Sequence, residues 1–585
     1  MSQLASLRQS LTTEVIAAGF LYMDSPDIHN PTIGSPAQAA TLPCGDDAEA
    51  WWRGAVIYQV YPRSFMDSND DGIGDLRGVI DKLDYVADLG VDAVWVSPFF
   101  KSPMKDFGYD VSDYRKVDPI FGSLDDFDNL VAKSHELGLR IIIDQVLSHT
   151  SDQHAWFTES CCSRDNAKAN WYVWADPKTD GTPPNNWLSV FGGSAWQWEP
   201  RREQYYLHNF LASQPDLNYH EPAVVRQMLE EVEFWLKRGV DGMRLDAINF
   251  CYHDRKLRDN PAKPKSERVG RGYRTDNPYA WQYHLHDNTQ PQNLVFLQQL
   301  RQLSDRYAEV VLLGEVTGEN PIDTMVEYTS GSNRLHMAYN FELLADDFSL
   351  THIRNAVESL ENSSGECWPC RSIGNHDVAR VTTRWAGSGS SRARSKLLNA
   401  LVLSLKGSVC SYQGDELGLT QAEIAPEDIR DPYGMAFWPL FQGRDGCRTP
   451  MPWSASDAAF GFTRGKPWLP VPPEHGEKAV ERQLEDPDSV LCSYRTFVQW
   501  RRGQPALSFG HIRFLDSPEN TMAFIREYGE TRLLAVFNFN PVRVEYHLPL
   551  LSHAESLSGH GFVRSRLQST QVQIPEYAAF FASLQ

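Results

Sequence analysis

Eight short, β-rich apolar runs punctuate this chain, separated by helical stretches, and most of them end in a polar, chemically capable residue. The runs cover 56–61, 93–97, 140–144, 242–246, 310–315, 336–341, 372–377 and 408–412. Near-continuous apolar runs alternating with helices argue for parallel strands buried on both faces. Eight of them predict an α/β fold, a (β/α)8 barrel. A doubly wound open sheet is the structural rival, and it gives no reason for reactive groups at so many strand ends. A barrel does, because its strands deliver their C-terminal ends to one mouth.

Departures from the alternation divide the chain. Residues 1–50 are mixed and polar, punctuated by Pro26, Pro31, Pro36 and Pro43, and read as a poorly ordered extension. The stretch between the third and fourth runs is too long for one helix and loop and is rich in Trp, Pro, Gly and Asn. Residues 149–219 are therefore expected to form a subdomain inserted over the barrel mouth. A second excursion follows the eighth run, from Gly414 to about Pro473. Near Phe509 short hairpin strands around a Gly529 turn replace the helices, which predicts an antiparallel β-sandwich over 506–585. The barrel then spans 51–148 and 220–505, and no fixed-period repeat interrupts it.

Composition removes whole classes of function. A formal charge of −21 on 585 residues is the wrong sign for tracking nucleic acid or an anionic membrane. No run approaches a membrane span of roughly 18 apolar residues, and the short apolar run at 15–23 lacks the cationic flank and cleavage site of a secretory signal. Nine cysteines are sparse and odd in number, which points to reduced thiols in a cytoplasm. Cys367 and Cys370 have redox spacing without the thioredoxin-like context. The 17 Trp suit either a bulky barrel core or a flat platform for sugars.

At the strand ends stand Asp144 and His149, Arg244 and Asp246, Glu315, and His376 and Asp377. Any one of these acids alone reads as a cap or loop support. Together at one mouth they cost stability unless the site uses them. Chemistry that needs two carboxylates without a nucleophilic Ser or Cys is glycosidic bond cleavage. G-x-S-x-G, H-E-x-x-H and G-x-G-x-x-G are all absent, and the phosphate-loop look-alike at 461–466 is mis-spaced and followed by Pro467.

Asp144-Gln-Val-Leu-Ser-His149, Gly242-Met-Arg-Leu-Asp-Ala247, Gly314-Glu-Val316 and Asn375-His-Asp377 resemble the four short conserved regions of the α-amylase superfamily, glycoside hydrolase family 13. Gln214-Pro-Asp-Leu-Asn-Tyr219 and Trp52-Arg-Gly-Ala-Val-Ile-Tyr58 resemble its branch of α-glucosidases, oligo-1,6-glucosidases and sucrose isomerases. The resemblance runs from about Trp51 to the C terminus. It implies that Asp246 is the nucleophile, held ionised by Arg244, and that Glu315 is general acid and then general base. A retaining mechanism sets their carboxyl groups about 5–5.5 Å apart, with the pKa of Glu315 raised and that of Asp246 low. It further implies that Asp377 binds sugar hydroxyls with His149 and His376, that Asp106 and Arg444 grip the terminal glucose, and that Tyr109 stacks on it. Phe191 and Phe341 are aromatic candidates for the pocket wall, with core packing as the alternative.

In the segment Asp67-Ser-Asn-Asp-Asp-Gly-Ile-Gly-Asp75, the residues Asp67, Asn69 and Asp71, the Ile73 carbonyl and Asp75 follow an EF-hand-like order, although Gly78 stands where that loop ends in Glu. An acidic turn satisfying its own backbone is the other reading. Family relatives bind calcium or magnesium at this loop, so the resemblance implies structural Ca2+ or Mg2+ and no organic cofactor.

The chain departs from the family at Ser148, where Asn is usual, and at Leu147. In relatives a small residue at that position goes with α-1,4 and Val with α-1,6 preference, and Leu147 is neither, so linkage stays open. The long segment from 251 to about 293 is expected to close the far side of the pocket. The whole is most similar to proteobacterial α-glucosidases that act on maltose and short α-1,4 substrates and also transfer glucose to alcohol or sugar acceptors. The alternatives are an oligo-1,6-glucosidase, a sucrose- or trehalose-active relative, and a non-catalytic carbohydrate-binding homologue. The last conflicts with the presence of all three acids.

Overall fold

Parallel pairing runs unbroken through eight strands in the computed structural model, which describes residues 50–270, 273–363, 367–385 and 391–584. The extension expected over 1–50 falls, apart from Ala50, outside those residues. The strands are β1 (Val56–Val60), β2 (Ala93–Val96), β3 (Arg140–Val146), β4 (Gly242–Asp246), β5 (Val311–Val316), β6 (Met337–Asn340), β7 (Cys370–Arg371) and β8 (Ser408–Tyr412). Their order in the sheet is β6-β5-β4-β3-β2-β1-β8-β7. A parallel bridge from Ala338 to Pro369 joins β6 to the entry of β7 and closes the barrel.

Local chemistry sets the helices between the strands. Leu124–Glu136 opens on a Ser123–Asp126 capping box and buries Phe127, Leu130 and Val131. Pro222–Leu236 has proline in its first turn and Glu221 as N-cap, and its buried Val224, Met228, Val232 and Trp235 repeat at helical spacing. Each fully buried side chain of this kind contributes about 1.5–3 kcal/mol.

The seventh run is displaced from its expected place. Ladder pairing stops at Arg371, and the chain runs irregularly from Ser372 into a turn at His376 and Asp377 instead of continuing as a strand. Side chains take over the backbone there: the Ser372 hydroxyl donates to the Gly374 carbonyl at 2.7 Å, and Asn375 Oδ1 accepts from the Asp377 N–H at 2.9 Å. A Cβ at Gly374 would lie 2.5 Å from Asp415 Oδ2, so any larger residue would have to displace that buried carboxylate.

Between β3 and β4 a three-stranded antiparallel sheet forms from Trp174–Ala175, Gln204–Leu207 and Trp196–Glu199. From His511 onward a five-stranded and a three-stranded antiparallel sheet follow. Alternate residues of Thr521–Tyr528 and Thr531–Asn538 face opposite ways. Phe524 and Phe537 join the main core, whereas Ile525, Leu534 and Val536 pack with Tyr546, Val572 and Ile574 of the smaller sheet.

Among the described residues no helix is long and apolar enough to cross a membrane. Eight described cysteines are free thiols. Burial pushes Cys370 up to about 12 and raises Cys367, the opposite of a redox-active pair.

Candidate active site

Strand register assembles the centre. β3 sets Asp144 opposite Arg244 of β4, and β5 sets Glu315 opposite Tyr339 of β6. The Arg244 guanidinium is completely buried, 4.9 Å from the centre of the Trp95 ring. Its Nη1 donates to Asp144 Oδ1 at 2.8 Å and to Asp246 Oδ1 at 2.6 Å, and its Nη2 lies 2.6 Å from Glu315 Oε1. Nε and Nη2 also donate to the Tyr339 hydroxyl at 3.1 and 2.6 Å, and that hydroxyl donates to Glu315 Oε1 at 2.9 Å. Ala247, left-handed at φ 39, turns its N–H onto Glu315 Oε2 at 3.0 Å. One arginine therefore holds three acids, two of them the expected nucleophile and acid.

Three carboxylates on one guanidinium, out of water, leave negative charge uncompensated. Burial pushes Glu315 up to about 7; Arg244 opposes the rise, and Asp246 and Asp377 add to it. Asp246 also rises to about 7, through burial and the neighbouring Asp144 and Asp377, with Arg244 again opposing. The expectation that Arg244 keeps Asp246 low is thereby corrected: the arginine is divided among Asp144, Asp246 and Glu315, and burial prevails. With both carboxyl groups raised toward neutrality, one can carry a proton while the other is anionic.

Asp377 behaves differently. Burial would raise it, yet His376, where acid protonates that ring, and Arg444, Arg448 and Arg244 at every pH hold it well below the usual carboxylate range. His376 and His149 are neutral near pH 7, because burial lowers them to about 3 and about 4. His149 Nε2 bonds the Tyr109 carbonyl at 3.0 Å. The Tyr109 ring stacks on His376 with centroids 5.3 Å apart, and its hydroxyl donates to Asp144 Oδ2 at 3.0 Å.

Arg444 forms a second knot. It donates to Asp106 Oδ1 at 2.8 Å and to Asp377 Oδ1 at 3.1 Å, and its guanidinium lies 5.1 Å from the Phe191 ring centre. Gln214 Nε2 donates to Asp106 Oδ2 at 3.1 Å, and Arg448 donates to Asp377 Oδ1 at 3.0 Å. Asp106, Gln214, Asp377 and Arg444 lie in the lining of one cavity together with Asp246 and Glu315.

Asp106, Tyr109, His149, Phe191, Asp246, Glu315, Phe341, Asp377 and Arg444 all line this cavity, while Arg244 and His376 lie buried behind it. Sequence reasoning missed Phe210, Phe250, Tyr433 and Gln214 on the wall, and Tyr339 and Arg448 behind it. Gln214 lies within a motif read for resemblance only, Arg448 lies in the long excursion after the eighth run, and Tyr339 sits near a strand end where a polar tip is itself a signal. The segment after β4 supplies Tyr273, Tyr279 and His284 to the wall. It is fastened there by Asn277, whose Nδ2 donates to the Val190 carbonyl at 2.8 Å and the Tyr433 hydroxyl at 3.1 Å. Leu147 is fully buried in the core and is not part of the wall.

The expected cation loop lies outside this cavity. Asp67 Oδ1 accepts the N–H groups of Asn69 and Asp70, Asp67 Oδ2 that of Gly72, Asn69 Oδ1 that of Asp71, and Asp71 Oδ1 that of Ile73, all at 2.7–3.0 Å. Asp75 caps the helix Leu76–Asp81 and bonds Ser68. The donors at Asp67, Asn69, Asp71 and Ile73 are hard oxygens with lone pairs to spare and fit a hard cation in kind; Asp75 is committed to its helix. Among the described residues no three or more His, Cys, Asp or Glu gather as a ligand cluster.

The alpha-amylase catalytic-domain family matches residues 59–510. The chain belongs to the alpha-amylase family. Within that family, a probable alpha-glucosidase of Rhizobium meliloti (strain 1021) is 52% identical over 537 residues, 91% of this chain and 97% of that protein. An oligo-1,6-glucosidase of Parageobacillus thermoglucosidasius is 36% identical over 533 residues, 85% of this chain and 92% of that protein. The solved structure of an alpha-glucosyl transfer enzyme, XgtA, matches with a TM-score of 0.90 at 57% identity, covering 92% of this chain and all of that one. The α-amylase-family barrel, the C-terminal antiparallel domain and membership of the glycoside hydrolases of the α-glucosidase and oligo-1,6-glucosidase group follow together.

Proposed function

We propose that this enzyme is an exo-acting, retaining α-glucosidase that cleaves the terminal α-1,4 bond of maltose and short malto-oligosaccharides and transfers glucose to alcohol or sugar acceptors. The observation that carries the reading is the knot on the cavity wall in which Arg444 donates to both Asp106 and Asp377, with Asp106 only 3% exposed; such a cluster suits the hydroxyls of one terminal glucose, so that a sugar chain binds by its end.

Asp246 attacks the anomeric carbon of the gripped glucose while Glu315 donates its proton to the departing glycosidic oxygen, giving a covalent glucosyl-enzyme. Glu315, now a base, takes a proton from water or an acceptor hydroxyl that attacks the same carbon, and Asp246 leaves. Two inversions retain the α configuration. Arg244 neutralises Asp246 as it alternates between anion and ester, and the anionic Asp377 favours the oxocarbenium-like transition state.

The test is a parallel assay on maltose, isomaltose, sucrose, trehalose and soluble starch, with an added alcohol in a second series. Cleavage of maltose with α-glucoside formed from the alcohol supports the reading. Preference for isomaltose would assign the enzyme to oligo-1,6-glucosidase chemistry, and starch cleaved as readily as maltose would refute the exo reading. A structural Ca2+ or Mg2+ held by Asp67, Asn69, Asp71 and the Ile73 carbonyl, with water, and a cytoplasmic location complete the proposal.

A further inference from the structure

A buried carboxylate that no motif marks holds the arginine on which the proposed glucose grip depends. Asp431 has no exposed surface and accepts three hydrogen bonds from Arg444. The Arg444 backbone N–H and Nε reach Oδ2 at 2.7 and 3.1 Å, and Nη2 reaches Oδ1 at 2.8 Å. Nη2 also donates to Asp106 at 2.8 Å, so one nitrogen serves both acids and Nη1 is left for Asp377. A planar guanidinium fixed along the edge that carries Nε and Nη2 has its remaining donors fixed in direction.

Asp431 is itself held. Asp445 Oδ2 accepts the backbone N–H groups of Arg430 and Asp431 at 2.6 and 2.9 Å. A Cβ at Gly443, already at φ +81, would lie 2.7 Å from Asp431 Oδ2, so the neck of the 431–444 loop is as narrow as backbone allows. Asp431 Oδ1 also accepts the N–H of Tyr433 at 3.2 Å, and the Tyr433 ring lies 5.0 Å from that of Phe191 in the cavity wall. One carboxylate thus joins the inner grip to the outer wall.

We propose that Asp431 is a positioning residue for the donor sugar, aiming Arg444 at Asp106 and Asp377 so that terminal-glucose affinity, rather than bond breaking, depends on it. The inference rests on the reading that Arg444 and Asp106 grip a terminal glucose. Burial would raise the Asp431 carboxyl, but Arg444 holds it down to about 2, so it is anionic across the working range. Without that charge the guanidinium has only Asp106 and Asp377 as anions and draws on the acceptor capacity they need for sugar hydroxyls.

The experiment compares Asp431→Asn and Asp431→Glu with wild type by steady-state kinetics on maltose and p-nitrophenyl α-glucoside, inhibition by glucose, and melting temperature. Asp431→Asn is expected to raise KM and the glucose inhibition constant together by roughly tenfold, the size of one weakened charge-assisted hydrogen bond, with kcat within about threefold of wild type. Asp431→Glu keeps the charge and should recover most of the loss. Should the Asn variant fail to fold, the Glu variant carries the test through a smaller parallel rise of both constants. Unchanged KM and glucose inhibition in the folded variant under test, or a fall in kcat alone, overturns the proposal. A wild type that cleaves no α-glucoside refutes the functional reading instead. Calorimetric titration with glucose then decides the role of Asp431: weaker binding to the variant upholds it, and equal binding or none to wild type overturns it.

Discussion

Asp144 and Asp246 accept hydrogen bonds from the same nitrogen, Arg244 Nη1, at 2.8 and 2.6 Å. The proposed nucleophile therefore does not own its arginine. It shares that cation with a fully buried acid and with Glu315, and each of the three is pushed above the ordinary carboxylate range, Asp144 to about 6.

Activity on maltose should follow a narrow bell centred near neutrality. Asp246 must be ionised to attack, so rate is lost as pH falls through its folded pKa. Glu315 must be protonated to donate, so rate is lost as pH rises through its own. Burial raises both to about 7, so both limbs should fall near neutrality. A pH–rate profile of kcat/KM that stays flat from pH 5 to 9 contradicts this.

The two acids should separate by leaving group. Glu315→Gln is expected to lower kcat/KM on maltose by about 10²–10⁴-fold, the usual worth of a general acid, and far less on p-nitrophenyl α-glucoside, whose phenolate departs without a proton. Asp246→Ala should abolish turnover of both while leaving the fold intact. Equal losses on the two substrates for Glu315→Gln would remove it from the acid role.

Much of this was legible before any coordinates. Strand ends carry the reactive groups Asp144, Arg244, Asp246 and Glu315, whereas the register that sets Asp144 beside Arg244 and Glu315 beside Tyr339 is seen only in the fold. What was illegible depends on tertiary placement. Asp431 precedes Pro432 and reads locally as an ordinary helix cap, so nothing nearby announces its bonds to Arg444. The seventh run reads as a strand in sequence but not in the fold, because Ser372 and Asn375 replace ladder bonds with side-chain bonds. Asp246 was expected to be low because sequence does not show how many acids divide Arg244.

Tyr339→Phe tests the bridge between Arg244 and Glu315. The lost hydroxyl bond favours ionised Glu315, so its removal should move the alkaline limb to higher pH while kcat falls. Buried Arg244 donors lose a partner, which should cost about 1–3 kcal/mol of stability in denaturant titrations. An alkaline limb that stays in place, or moves down, contradicts the bridge.

Asn277→Ala should loosen the segment that lines the cavity, since it removes the bonds to Val190 and Tyr433. The ratio of kcat/KM for maltotetraose to that for maltose is expected to rise, with a stability loss of about 1–2 kcal/mol. An unchanged ratio would mean that the segment does not limit chain length.

Calcium should raise the melting temperature and chelator should lower it. At a hundredfold excess over Kd, linkage adds about 2.7 kcal/mol. Asp71→Ala should abolish the difference, and identical melting curves of wild type with calcium and with chelator would refute the cation loop.

Double displacement by Asp246 and Glu315 fixes the anomer of the glucose first released from maltose, which NMR reads. The α anomer should appear first and mutarotate afterwards; β-glucose as the first product would contradict the mechanism.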